Sequence, residues 1–412
     1  MINKNTVLVL GAGASCHLGF PLGRPLINEI YRFVFAKSEG FYKRNEALNP
    51  ARDKKENSVL LARFLELSGY KNENGEYYTA EDVKQFAEVL HKAQPPSIDT
   101  FLARQPKYKL LGKICIIFCL SKYEDKDGWL YKPSKYPSRL INKNEFPSFG
   151  WYQHLWKKML EDVGSLEELK KNKLTIITFN YDRSLEYYLM EAIQNMFGAP
   201  EIDAAEVFKN IKVKHVYGKL GKFYWEKNYL ESNENVTAKE CMMETQPFTP
   251  WEIGVFFRLM GDVGEYGMDS RDFDPGRTVL TEDARKEIVS RFQFAVDEIK
   301  TYYENIEKDK MGEYRVDLQE ATRIYFLGFG YDEQNLESIG LTQTRSVSLN
   351  EHVHIWGTAY KMTHQEKERY AGRLKPFVVN PNNVHLYEEW SHMVKEEDLI
   401  IASFFRAVCD LE

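Results

Sequence analysis

The chain has 412 residues and a net charge of −6 at pH 7, from 55 lysines and arginines against 61 aspartates and glutamates. Because its basic residues are scattered, duplex nucleic acid is not an expected direct ligand, and with no C-x-x-C pair among five cysteines neither a disulfide framework nor a zinc ribbon is indicated. No signal-peptide pattern opens the chain and its longest apolar run, 114–120, is too short to span a bilayer, so a cytoplasmic location is expected.

The first predicted element is a buried strand over 7–10 that runs into a glycine-rich turn. The turn consists of Gly11, Ala12, Gly13, Ala14 and Ser15. Two glycines after a strand permit a tight turn and bring backbone N–H groups against a diphosphate at a helix N-terminus. The spacing is G-x-G-x-S, and Cys16 stands where the dinucleotide fingerprint has its third glycine. The alternative is a plain tight turn in an α/β protein.

A helix with apolar residues at helical spacing over 26–34 is predicted to dock under this turn. Strand signals are then scarce, so 41–149 is predicted to be a helical insertion. It contains a capping box formed by Thr79 and Asp82, and a further helix with Ser97 as its N-cap. Its last part, 122–149, has the composition of a surface loop.

Two more strands are predicted in the middle of the chain, each ending in glycine or polar residues. The strand over 174–179 leads into Asn180-Tyr181-Asp182 and a helix that ends at Gly198, and the strand over 212–217 ends at Gly218. Residues 219–320 form a second predicted insertion, with a long helix over 282–308.

The remaining strands are predicted at 324–330, 353–358 and 376–380, with a helix opened by a Thr363/Glu366 capping box before the last. A helix over 391–412 closes the chain. The sequence thus predicts one α/β unit with a Rossmann-like parallel sheet, helices on both faces and large helical insertions. Its core comes from 1–40, 150–218 and 321–390, and its insertions are 41–149 and 219–320.

Four segments, in this order, resemble motifs of the sirtuin-like family. They are GAGAS at 11–15, TFNYD at 178–182, HVYGKL at 215–220 and LGFGYDEQNL at 327–336. Together with SIDTFL at 97–102 they are more similar to the bacterial branch of NAD-hydrolysing antiphage defence enzymes than to the protein deacetylases. The deacetylases' four-cysteine zinc module has no counterpart in this sequence.

The resemblance implies an NAD glycohydrolase that depletes NAD during antiphage defence, with NAD as substrate and no metal. It also implies control through a homo-oligomer or a HerA-type ATPase partner. Asn180, Asp182 and His215 match the catalytic positions. The candidate NAD-binding residues are Gly11, Ala12, Gly13, Ala14, Ser15, Asp99, Gly328, Gly330, Tyr331, Asp332, Gly357 and Thr358. Two alternatives stay open, a non-catalytic module that senses NAD or ADP-ribose and an NAD-dependent protein deacylase.

The three catalytic candidates suit cleavage of NAD, whose nicotinamide is a cationic leaving group that departs through an oxocarbenium-like state. Asn180 can hold a water, Asp182 can stabilise the ribosyl cation or fix Asn180, and His215 can accept a proton. As alternatives, Asn180 and Asp182 could cap the helix that follows, and His215 could be a satisfied core residue. The family's histidine more often directly precedes the glycine, where this chain has Tyr217, on the same predicted strand face as His215.

Overall fold

The computed structural model describes residues 1–36, 56–121, 123–124, 150–221, 223, 289, 292–301, 304, 308–341, 349–359 and 362–387. Its only sheet within those residues has six strands, all parallel, in the order β3-β2-β1-β4-β5-β6. The strands are β1 Thr6–Leu10, β2 Leu174–Thr178, β3 Lys212–His215, β4 Arg323–Leu327, β5 His354–Thr358 and β6 Val384–Tyr387.

The first strand lies at the centre of the sheet. Thr6 of β1 is paired with Leu174 of β2 on one side and with Arg323 of β4 on the other. All five residues of β1 are buried, as expected for an apolar run covered on both faces. The chain leaves β1 towards β2 and β3, then returns to β4 on the opposite side, so the carboxyl ends of β1 and β4 border the crevice where doubly wound folds bind ligands.

All the α-helices whose limits are described lie between β1 and β6 in the chain. They are α1 Gly23–Phe35, α2 Asn57–Leu67, α3 Ala80–Ala93, α4 Ile98–Arg104, α5 Lys109–Ser121, α6 Trp151–Leu160, α7 Leu166–Leu169, α8 Ser184–Phe197, α9 Glu201–Phe208, α10 Lys308–Glu320, α11 Glu333–Ser338 and α12 His364–Leu374.

Helices cover both faces of the sheet, as two successive residues of β3 demonstrate. Lys214 and His215 point to opposite faces because side chains alternate along a strand. Lys214 Nζ lies 2.6 Å from Asp317 Oδ2 on α10, whereas His215 Nε2 lies 2.6 Å from Glu186 Oε1 on α8. The α/β class, with helices on both faces of a Rossmann-like parallel sheet, is therefore confirmed.

The chain divides into two compact units. We call Met1–Leu22, Lys126–Lys219 and Tyr302–Glu412 the sheet unit, and Gly23–Asp125 and Leu220–Thr301 the helical unit. The described residues of the helical unit are helical apart from their connections and an isolated bridge between Lys71 and Tyr77, in keeping with the predicted insertions. The boundary falls at residue 22 rather than 40, because α1 packs on α2, α3 and α5.

Three local predictions of helix starts are confirmed. Thr79 and Asp82 form a reciprocal capping box, as do Thr363 and Glu366. The hydroxyl of Ser97 accepts a bond from the amide of Thr100 at the start of α4. These starts were predictable because a cap depends on residues only three positions apart.

The prediction of a strand over 376–380 is wrong, because the last strand begins later in the sequence. Residues 375–377 form a short 3₁₀ helix, and the strand that pairs with β5 is Val384–Tyr387. Pro376 lacks the N–H that a strand needs, and the amide of Val378 turns back to the carbonyl of Lys375. The apolar run at 376–380 therefore packs as a turn before β6 begins.

The predicted helix over 282–308 is not continuous. Residues 292–298 are helical, 299–301 are not, and α10 begins separately at Lys308. The predicted loop at 122–149, apart from 123–124, the predicted helix at 391–412 and most of 219–320 lie outside the described residues. In the described part of the chain, no helix is both long and apolar enough to cross a membrane.

Candidate functional site

The glycine turn after β1 lies against the turn after β4. The amide of Gly11 donates to Leu327 O, and the amide of Gly13 donates to Gly328 O. Each of these hydrogen bonds is 3.0 Å long. A Cβ at position 11 would lie 2.5 Å from Gly328 O, and one at position 13 would lie 2.8 Å from Gly328 Cα. Glycine is therefore required at both positions by the neighbouring backbone, independently of any phosphate.

The turn continues as a 3₁₀ helix over Ala12–Leu18. Amides at a helix start are the usual donors to a diphosphate, but here two of them are used within the protein. Gly13 bonds to Gly328, and the amide of Ala14 donates to Gly11 O over 2.9 Å. Ala12 is exposed and Ser15 is buried, so the predicted phosphate loop presents a smaller set of amides than its sequence pattern implied.

Asn180 follows β2 and connects that strand to the glycine turn. Its side-chain amide donates to Ser15 Oγ at a distance of 2.9 Å, and its backbone N–H donates to Thr178 Oγ1 at a distance of 3.1 Å. Its Oδ1 is buried and has no hydrogen-bond partner among the described residues. An unmade bond at a buried acceptor costs about 1–3 kcal/mol. The atom is thus a buried acceptor whose hydrogen bond no described residue supplies.

Asp182 is held by the first turn of α8. Its Oδ1 accepts bonds from the amide of Ser184, over 3.2 Å, and from the Ser184 hydroxyl. Since that hydroxyl donates to the carboxylate, the hydroxyl of Tyr152 donates to Ser184 Oγ, 2.8 Å away. Asp182 therefore binds the helix start, as the capping alternative requires, whereas the side chain of Asn180 does not.

Tyr152 is a site residue that the sequence did not indicate. It lies on α6, and its ring is packed edge-on against His17 at 4.6 Å between centroids. Burial raises the pKa of Tyr152 well above its ordinary value, and the charge of Asp182 adds to this increase. The residue therefore remains a neutral hydrogen-bond donor beneath the glycine turn.

His215 has protein partners at both ring nitrogens. Nδ1 lies 2.9 Å from the carbonyl oxygen of Asn180, and Nε2 lies 2.6 Å from Glu186 Oε1. The side chains of His215 and Glu186 are 6% and 5% exposed, respectively. A general base needs a free nitrogen near the substrate, so the expected role of His215 would require one of these contacts to break.

The carboxyl of Glu186 is ionised in this pair. Its burial raises the pKa, but the His215 ring lowers it through charge and a hydrogen bond, and Lys219 lowers it further. The net shift of the Glu186 pKa is downward. The buried Glu186 carboxylate is therefore paired with the His215 ring, which in turn binds the carbonyl of Asn180.

Tyr217 does not share a strand face with His215, because β3 ends at His215. The Tyr217 hydroxyl donates to Asn335 Oδ1 on α11 over 2.9 Å, and its ring packs on Phe179. The two residues thus diverge beyond the strand end, His215 towards α8 and Tyr217 towards α11.

The candidate residues after β4 and at the end of β5 mainly support one another. Gly328 donates to Thr358 Oγ1 over 2.9 Å, and the buried hydroxyl of Tyr331 donates to Thr358 O over 3.1 Å. A Cβ at Gly357 would collide with that hydroxyl, so glycine is needed there. Asp332 caps α11 by accepting from the amide of Gln334.

Gly330 is the exception in this group. It is exposed, and a Cβ built on it would meet no atom within 4 Å. It leaves open space beside the turn that carries Gly328.

Asp99 is not among the residues that the sheet unit brings together. It lies in the first turn of α4 in the helical unit, directly after the Ser97 N-cap. Among the described residues, no group of three or more histidine, cysteine, aspartate or glutamate side chains could hold a metal ion.

The strand order and the convergence of polar groups at the carboxyl ends of β1, β2 and β3 define a doubly wound α/β protein with a candidate ligand crevice. Neither the models of known protein families nor the curated proteins include one that matches this chain.

Proposed function

We propose that this chain is a sirtuin-like NAD glycohydrolase that cleaves NAD to nicotinamide and ADP-ribose. The observation that carries the proposal is the buried, unpartnered Oδ1 of Asn180, whose side chain is bonded to Ser15 of the turn after β1. An acceptor fixed there suits a water or a ribose hydroxyl. The cost of about 1–3 kcal/mol for leaving this buried acceptor without a hydrogen bond is removed when a donor binds. The order of the GAGAS, TFNYD, HVYGKL and LGFGYDEQNL motifs supports the same assignment.

The chemistry needs few catalytic groups. The bond between ribose C1′ and the nicotinamide nitrogen breaks, and its electron pair neutralises the ring of the departing nicotinamide. Asn180 Oδ1 accepts a hydrogen bond from the water that attacks C1′, and that water loses its proton to solvent after it has added to the cation. The buried carboxylate of Asp182 favours the cationic transition state through its charge.

In this proposal the enzyme depletes NAD in antiphage defence, with control by self-association or by a HerA-type ATPase. Both the biological role and the partner come from the motif resemblance. A cytoplasmic location is part of the same proposal, because NAD depletion requires access to the cellular pool.

A second candidate function is a module that binds NAD or ADP-ribose without cleaving it. The observation that favours it is that both ring nitrogens of His215 are held by the protein. Such a histidine can order a binding site without accepting a proton from substrate.

One experiment separates the two functions. The purified chain, alone and with any co-purifying protein, is incubated with NAD, and nicotinamide and ADP-ribose are quantified by chromatography. Calorimetry with ADP-ribose runs in parallel. Release of nicotinamide supports the hydrolase, whereas binding without release supports the sensor. Absence of both binding and release rejects both functions.

A further inference from the structure

Glu186 is a buried carboxylate that none of the sequence motifs assigned to the site. It lies on the first turns of α8 and contacts His215 on β3, with 2.6 Å between Oε1 and Nε2. Ionised groups are seldom buried unless they are paired. Here the partner is His215, which in turn contacts the backbone carbonyl of Asn180. Glu186 is thus connected to the candidate catalytic amide through one side chain.

Asn180 is held at three of its four polar groups. Its N–H donates to Thr178, its Nδ2 donates to Ser15, and its carbonyl accepts from His215. The fourth group, Oδ1, is the acceptor that has no partner in the described part of the chain. The position of that one atom therefore depends on the three anchors.

The anchor at the carbonyl depends on Glu186. A carbonyl oxygen can only accept, so His215 Nδ1 carries a proton and points at Asn180. Nε2 is then the atom that meets Glu186, and rotation of the ring would lose both bonds at once. The carboxylate sets the orientation of the ring, and the ring holds the peptide of Asn180.

We infer that Glu186 is a positioning residue, acting through His215 to fix Asn180 Oδ1 where it meets the reacting end of NAD. This inference rests on the proposed function for its catalytic consequence, but its structural part can be measured without NAD. The role differs from general packing because it predicts a local effect at Asn180 and a coupled effect with His215.

The first test is hydrogen–deuterium exchange, read by mass spectrometry on the full-length chain. Glu186→Gln removes the charge while keeping the size of the side chain. Glu191→Gln, on the same helix and close to Glu201, is the matched control. Glu186→Gln is expected to raise exchange in peptides covering 178–183 and not elsewhere, and Glu191→Gln to leave them unchanged. Unchanged exchange at 178–183 in Glu186→Gln overturns the inference.

If Glu186→Gln raises exchange throughout the sheet unit, the variant does not fold properly. His215→Gln is then used in its place. A rise in His215→Gln restricted to 178–183 supports the relay through the ring. Unchanged exchange there overturns it.

The second test is a double-mutant cycle on NAD hydrolysis with Glu186→Gln, His215→Gln and the double variant. Glu186→Gln is expected to lower kcat by about 10- to 100-fold with little change in KM. The double variant should lose no more than His215→Gln alone, because both act on the same atom. Independent, multiplying losses overturn the relay. A wild-type chain that hydrolyses no NAD, either alone or with any co-purifying protein, rejects the proposed function instead, and exchange at 178–183 then decides the role of Glu186.

Discussion

The side-chain amide of Asn180 donates to Ser15 Oγ over 2.9 Å, so the loops that follow β2 and β1 are joined by a buried hydrogen bond. These residues are 165 positions apart in the sequence. The bond places the candidate catalytic amide directly beside the glycine turn. It also explains why Ser15 points into the protein, although its motif suggested a phosphate contact.

We predict that Asn180→Ala abolishes NAD turnover while the fold persists. The variant removes Oδ1, and the loss of the bond to Ser15 should cost only about 1 kcal/mol of unfolding free energy. Turnover is measured as nicotinamide release and stability by urea unfolding. Asn195→Ala, which removes an exposed side-chain amide from α8, is the control. Turnover close to wild type in a folded Asn180→Ala variant would reject the assignment.

Two glycine variants should separate folding from ligand binding. Gly330→Ala enters open space, so unfolding should change by less than about 0.5 kcal/mol, while affinity for ADP-ribose falls about tenfold if ligand occupies that space. Gly13→Ala should cost about 1–3 kcal/mol of stability through its contact with Gly328. Calorimetry and urea unfolding test both. Full affinity in Gly330→Ala would place the ligand elsewhere.

Removing the hydroxyl of Tyr152 should loosen the support of Asp182. Tyr152→Phe keeps the ring against His17 but leaves Ser184 Oγ without its donor, so the unfolding free energy should fall by about 1–2 kcal/mol. Nicotinamide release should decrease about tenfold if Asp182 stabilises the transition state. Tyr77→Phe, at an exposed tyrosine of the helical unit, serves as control. The idea fails if neither quantity changes in Tyr152→Phe.

His17 should make the protein sensitive to mild acid. Burial lowers the pKa of His17 from 6.5 to about 4, although a bond to the Ala14 carbonyl opposes the shift. As the pH falls, the unfolded chain is therefore protonated at His17 before the folded protein is. The contribution of neutral His17 to the unfolding free energy is present above about pH 6.5 and is lost as the pH falls towards 4.

The corresponding variant is His17→Phe, which keeps an aromatic ring against Tyr152 and cannot titrate. Urea midpoints measured at about pH 7 and about pH 5 should differ less in this variant than in the wild type. His364→Phe, at an exposed histidine, should retain the wild-type difference. An equal pH response in wild type and His17→Phe would contradict the prediction.

The sequence predicted the parts of the fold that depend on neighbouring residues. The strands before Gly11, Asn180 and Gly328 are apolar runs that end at polar residues or glycines, and parallel strands bring such ends to one edge. The capping boxes depend on residues three positions apart. Both kinds of signal can be read without knowing the tertiary structure.

The contacts of the site could not be predicted in the same way. Glu186 meets His215 only because α8 presents that side chain to β3, and Tyr152 enters from a helix with no motif. The pattern of Gly11 and Gly13 predicts a contact with a phosphate, whereas the immediate neighbour of both residues is the backbone at Gly328. In each case the partner lies far away in the sequence, and nothing in the local pattern identifies it.

The central position of β1 has a consequence during protein synthesis. Its partner in β2 begins at Leu174 and its partner in β4 at Arg323, 317 residues after Thr6. At about 5–20 residues per second, the strand leaves the ribosome tens of seconds before its second neighbour exists. Until then the edge of Val7–Leu10 that later meets β4 can pair with the same strand of another nascent chain.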